Sequence, residues 1–140
     1  MADRKRLIWC RSGLVAGLAL VAACSPPNRS AEVGRAAFQD NCTACHGAWA
    51  QGDGPMAVLV PTGVPNLRQL SARNGGEFPK THVVEVVTKI SDRQHGIVAM
   101  PDFGALLGAS PTVYTAPDGT RIKTGTTILA IAAYLETIQD

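Results

Sequence analysis

Cys42-Thr43-Ala44-Cys45-His46, a C-x-x-C-H sequence, lies about a third of the way along the chain. The pattern is that of c-type haem attachment. Two thiols at this spacing can add across the two vinyl groups of one porphyrin edge, forming thioethers that fix the ring to the chain. The adjacent His46 then lies below the metal, where a neutral imidazole nitrogen can ligate iron. Three other chemistries use such a pair. A thioredoxin-like dithiol needs a βαβ pattern around it, and nothing here alternates strand and helix in that way. Half of a zinc site would find only His82 and His95 as further soft ligands, with no second C-x-x-C. A plain structural disulfide is the third. Haem attachment is the expected chemistry, with Cys42, Cys45 and His46 holding one covalent haem c.

The rest of the composition suits a small domain built round such a group. The chain has 140 residues, 46% apolar and 17% charged, which is room for one ordinary globular domain and not for a two-domain enzyme. Fourteen Gly and nine Pro predict much loop, while three Phe, two Trp and two Tyr offer few large rings to fill a core. A large flat apolar cofactor would supply what the side chains do not.

The N-terminus reads as a targeting segment. Arg4-Lys5-Arg6 precedes an apolar run whose clean part, Leu14 to Ala23, is ten residues long. That is too short to span a bilayer, and a basic head, an apolar run and then small residues form a secretory signal. The end of the run, Leu20-Val21-Ala22-Ala23-Cys24, resembles the lipobox of bacterial lipoproteins. The resemblance implies removal of residues 1–23 and lipid attachment at Cys24, several acyl chains giving a stable anchor. The alternative is ordinary cleavage near Ala23 with Cys24 as a free thiol. Ser25 to Ser30, with adjacent prolines, reads as the rest of a tether over 24–30, and the folded domain is expected over 31–140. Losing residues 1–23 removes four of 13 basic and one of 11 acidic residues, leaving a net charge of −1. No basic face is then left for nucleic acid.

Beyond the motif the chain resembles the class I mono-haem cytochromes c. Gly34 and Phe38 precede Cys42 as the small residue and aromatic of that family's first helix do. Gly63-Val64-Pro65-Asn66-Leu67 resembles its proline segment, Met100-Pro101-Asp102-Phe103 its methionine loop, and the segment with Tyr134-Leu135 its last helix. The resemblance implies an all-α fold of three to five helices wrapped round one haem, with long loops. It also implies that the Pro65 carbonyl accepts the free N–H of His46 and that the first and last helices cross at Gly34, with Phe38 and Tyr134 packed there.

The sixth iron ligand is expected to be Met100, which follows His46 by 54 residues, far enough for the chain to return on the other face of the ring. Met56, only ten residues after His46, and His95 are the alternatives. A Met/His pair raises the reduction potential. Arg68 and Arg73 are candidates to pair with a haem propionate, or are solvated surface residues.

Four segments read as helical: Ala31 to Asn41 capped by Ser30, with Val33, Ala36, Ala37 and Phe38 inward; a short turn after Pro65; Lys80 to Ile90, with Val83, Val86, Val87 and Ile90 as its stripe; and Thr126 to Gln139, with Ile128, Ile131, Ala132, Leu135 and Ile138 on one face. Gly52-Asp53-Gly54-Pro55 is a turn cluster. Residues 113–123, with Asp118-Gly119 between β-branched residues, read as a small hairpin, first expected to be a surface loop and otherwise a haem cover or docking surface.

The expected function is one-electron transfer between periplasmic or membrane redox partners, from a lipid-anchored position on the periplasm-facing side of a bacterial envelope. Docking is expected to be transient, with no small-molecule substrate and no catalytic residue set. The alternatives are a haem subunit of a larger oxidase or dehydrogenase, and a gas- or peroxide-binding sensor or enzyme with an open sixth site, in which His95 would serve.

Overall fold

A computed structural model describes residues 28–88, 100, 101, 103, 107 and 110–140. The signal segment, Cys24, Ile90, His95 and Asp102 lie outside the described residues. Helix α1 (Arg29–Asn41) begins inside the expected tether because Asn28, not Ser30, caps it. Asn28 Oδ1 accepts the N–H groups of Ser30 and Ala31 at 3.2 and 3.4 Å, satisfying donors that the first turn leaves open. The inward residues are Ala31, Gly34 and Phe38, at i, i+3 and i+7. Val33 and Ala36, which the sequence pattern assigns to this face, are exposed. The contact is centred on Gly34, and a neighbouring residue lies about 100° round the helix.

One helical turn, α2 (Thr43–His46), carries the motif. After a long loop, a 3-10 turn at Leu67–Gln69 runs directly into α3 (Leu70–Arg73), giving the turn expected after Pro65. Helix α4 (Lys80–Thr88) buries Val83, Val84 and Val87, so its stripe includes Val84 in place of the expected Val86, which is only partly buried. Phe103 and Leu107 are helical and buried, four residues apart. Strands β1 (Pro111–Thr115) and β2 (Arg121–Gly125) pair antiparallel and lead into α5 (Thr126–Thr137). Among the described residues the architecture is mainly helical, as expected, and no helix is long and apolar enough to cross a membrane.

Helices α1 and α5 form the principal contact of the fold. A Cβ on Gly34 would overlap the Ala130 carbonyl and come within 2.9 Å of the Ile131 nitrogen, so only glycine permits this crossing. One turn further on, the Phe38 and Tyr134 rings pack with centroids 5.5 Å apart and planes at 53°, a tilted aromatic pair. Phe38, Ile128, Ile131 and Val84 are the largest fully buried side chains, and α4 closes the other side of α5.

The hairpin belongs to the core. Ile122 is buried in the central cluster, and the buried Thr124 hydroxyl meets that of Thr88 on α4 at 2.9 Å. Its turn closes with Gly119 N–H on the Ala116 carbonyl at 2.9 Å and Ala116 N–H on the Thr120 carbonyl at 2.8 Å. Gly119 has φ 86°, the left-handed conformation of a three-residue hairpin loop. The expected surface loop is therefore a structural element that α4 and α5 need to complete their packing.

Candidate haem attachment site

Cys42 ends α1 and begins α2: its N–H donates to the Phe38 carbonyl at 2.8 Å, and its own carbonyl accepts from His46 N–H at 2.9 Å. The aromatic that packs the helix crossing thus also fixes the first position of the motif. Cys42 and Cys45, three apart on one turn, lie on neighbouring positions of one helix face, and both are free thiols. Cys42 is buried within the core cluster, while Cys45 is partly buried. Burial pushes the Cys42 thiol up to about 11, with Cys45 adding like-charge repulsion. A thiol held protonated in this way is a poor nucleophile at neutral pH. His46 is partly buried, with Nδ1 shielded from solvent.

The four carbonyls of α2 are each met by the loop that follows. Gly47 N–H donates to Thr43 at 2.9 Å, Met56 N–H to Ala44 at 2.8 Å, Gly54 N–H to Cys45 at 3.1 Å and Gly52 N–H to His46 at 2.8 Å. These are the carbonyls that a single turn leaves without helical partners, so the loop folds onto the motif. What reads in the sequence as a turn cluster is a cradle for it. Gly54 has no room for a Cβ, which would strike the Thr43 and Ala44 carbonyls. On its far side the cradle meets the proline segment: a Cβ on Gly52 would overlap the Val64 carbonyl and lie 3.2 Å from the Pro65 carbonyl carbon. Leu67 N–H donates to the Ala50 carbonyl at 2.8 Å, and Ala50 adopts φ 60° to present it. Motif, cradle and proline segment are thereby stacked in that order.

Met100 is partly buried and packs against the core cluster that contains Cys42. Met56 is 48% exposed, its backbone tied to Ala44. His82 is exposed on α4, beside a shallow pocket lined by Leu70, Arg73, Asn74 and Pro79. The two arginines considered for a propionate each have a protein partner. Arg68 Nε and Nη2 donate to Asp140 Oδ1 at 2.9 and 2.6 Å, an ion pair that pushes the guanidinium further into its charged form. Arg73 Nη2 donates to the Asn66 carbonyl at 2.6 Å. Both serve to hold the segment after Pro65.

Two contributors are not legible in the sequence. Ala50 gives no signal, because an alanine in the left-handed region has no marker residue of its own. Gln139 reads as the end of a helix, yet its side chain bonds to the segment after Pro65. Trp49, Val58 and Leu59 leave 71%, 86% and 59% of their surface exposed beside the motif. Between His46 and Arg68 the sequence carries one charged side chain, Asp53.

Among the described residues no three His, Cys, Asp or Glu side chains are grouped to hold a metal ion. The donor set fits a haem better: two unlinked thiols and an imidazole on one turn. The family model described as cytochrome c matches residues 31–139. Neither a curated protein nor a solved structure matches the chain.

Proposed function

The chain belongs to the cytochrome c family, which binds haem c covalently and transfers electrons with it, and from this we propose a one-electron shuttle with a single haem. Cys42 and Cys45 would hold the ring through thioethers, and His46 and Met100 would be the residues that ligate its iron. The observation that carries the reading is the pair of free thiols on a turn ending in His46, with all four carbonyls of that turn fixed by its cradle.

Bound there, haem supplies an iron that alternates between the ferrous and ferric states. The chain's part would be to keep both donor side chains in place in either state, so that little would reorganise when an electron arrives. The partly buried Met100 against the core supports it over the half-exposed Met56 as the thioether donor. A thioether favours ferrous iron and raises the potential. The Pro65 carbonyl is the acceptor for the His46 ring N–H, a reading supported by the grip of Gly52 and Ala50 on the segment around it. That bond fixes tautomer and ring orientation together.

Residues 1–23 act as an export signal, and lipid on Cys24 holds the domain at the periplasm-facing surface of a membrane. Donor and acceptor are redox proteins that dock transiently, as small electron-transfer interfaces do. The charge-poor exposed stretch beside Cys45 supports encounters that depend little on ion pairing. The ferric spectrum tests the ligand set. A low-spin spectrum with the weak charge-transfer band of thioether ligation, unchanged by added cyanide on mixing, is expected. High-spin iron that binds cyanide at once would make this a ligand-binding haem protein instead.

A further inference from the structure

The segment after Pro65 is held from two sides, and one of them is remote in sequence from the haem motif. Gln139, just past α5, uses its whole side-chain amide on backbone groups. Nε2 donates to the Leu67 carbonyl at 2.9 Å and the Leu135 carbonyl at 2.7 Å, and Oε1 accepts the Ser71 N–H at 2.9 Å. Ser71 lies in the first turn of α3, whose N–H groups have no helical partner, and Leu135 lies in the last turn of α5. A neutral amide alone offers two donors and an acceptor at one side-chain end; a carboxylate would face two carbonyls with acceptors only. Asp140 adds its N–H to the Arg68 carbonyl at 3.0 Å. From the opposite side, Ala50 accepts Leu67 N–H, and Gly52 lies directly under Val64 and Pro65. Residues 64–71 are a strap clamped between the motif's cradle and the end of α5.

We propose that Gln139 is a positioning residue for the haem iron, fixing the strap so that the Pro65 carbonyl stays on the His46 ring N–H. The proposal rests on the reading of Pro65 as that acceptor. A hydrogen-bonded imidazole is a stronger donor to the metal and favours ferric iron. Loosening the strap weakens the bond, makes His46 a poorer donor and raises the reduction potential.

The test compares the haem-loaded Gln139→Met protein, which keeps side-chain length and neutrality but loses all three bonds, with Thr88→Val. The latter breaks the bond to Thr124 and has no tie to the strap. Gln139→Met is expected to shift the ferric–ferrous equilibrium at least threefold toward ferrous. That is about 28 mV upward, at about 59 mV per tenfold for one electron. Thr88→Val is expected to leave it unmoved. A Gln139→Met protein at the wild-type potential, or one that shifts only as far as Thr88→Val does, overturns the proposal; Gln139→Ala repeats the comparison with a smaller side chain. Proton exchange at the His46 ring N–H of the reduced wild-type protein separates the two levels. Slow exchange there with no potential shift in the variant removes the role of Gln139 alone, whereas fast exchange in the wild type removes the Pro65 reading and the proposal with it.

Discussion

Gly34 of α1 lies against the Ala130 carbonyl of α5 with no space between them for a methyl group. Helix propensity alone would favour alanine at a helix-interior glycine by about 1 kcal/mol. Overpacking costs about 1–3 kcal/mol, and here the obstacle is backbone that cannot swing aside. The overlap wins. Gly34→Ala is expected to lower the thermal midpoint by roughly 5 °C, measured by circular dichroism on the haem-loaded protein; a midpoint at or above wild type would show that the helices separate at no cost.

The Thr88–Thr124 pair makes an asymmetric prediction. Thr88 Oγ1 directs its one proton to the Val84 carbonyl at 2.6 Å, so in the 2.9 Å contact between the two hydroxyls Thr124 is the donor. Thr88→Val then leaves the buried Thr124 hydroxyl without its acceptor and costs about 1–3 kcal/mol. Thr124→Val leaves Thr88 still bonded to Val84 and costs less, and the double valine variant recovers most of the loss. Urea denaturation of the three variants checks the order.

What the sequence makes legible depends on how far apart the cooperating residues lie. Gly34, Phe38 and the last helix are local patterns whose chemistry shows in a few adjacent residues, and they meet at the helix crossing as expected; the motif and the proline segment are local patterns of the same kind. The cap at Asn28, the exposure of Val33 and the burial of Val84 depend on which face a neighbour covers, and periodicity does not fix that. Arg68 illustrates the deeper limit. As a lone cation it suits a propionate, and only folding brings Asp140, 72 positions away, against it. Gln139 and Ala50 act through backbone groups distant in sequence, so no spacing announces them. The hairpin is legible as a hairpin, but its place in the core depends on α4 meeting Thr124 and Ile122.

Met100→Ala is expected to lower the reduction potential and to open the iron to cyanide or imidazole, since it removes the proposed thioether ligand, and a thioether favours ferrous iron. Spectroscopic titration of the ferric variant checks this. An unchanged spectrum and potential would pass the ligand role to another residue, with His95 the next to replace.

Cys24→Ser is expected to release the protein from the membrane fraction into the soluble periplasmic fraction, because the proposed anchor is a set of acyl chains on that residue. Fractionation with immunoblotting reads the outcome directly. Membrane association that survives the substitution would point to a different attachment.

The most direct measurement is the mass and colour of the mature protein after denaturation. One haem per chain is expected to stay with the polypeptide in a denaturing gel and to be lost when Cys42 and Cys45 are both replaced by serine. A colourless exported product, its two sulfurs free or bonded to each other, would contradict covalent haem attachment at this motif.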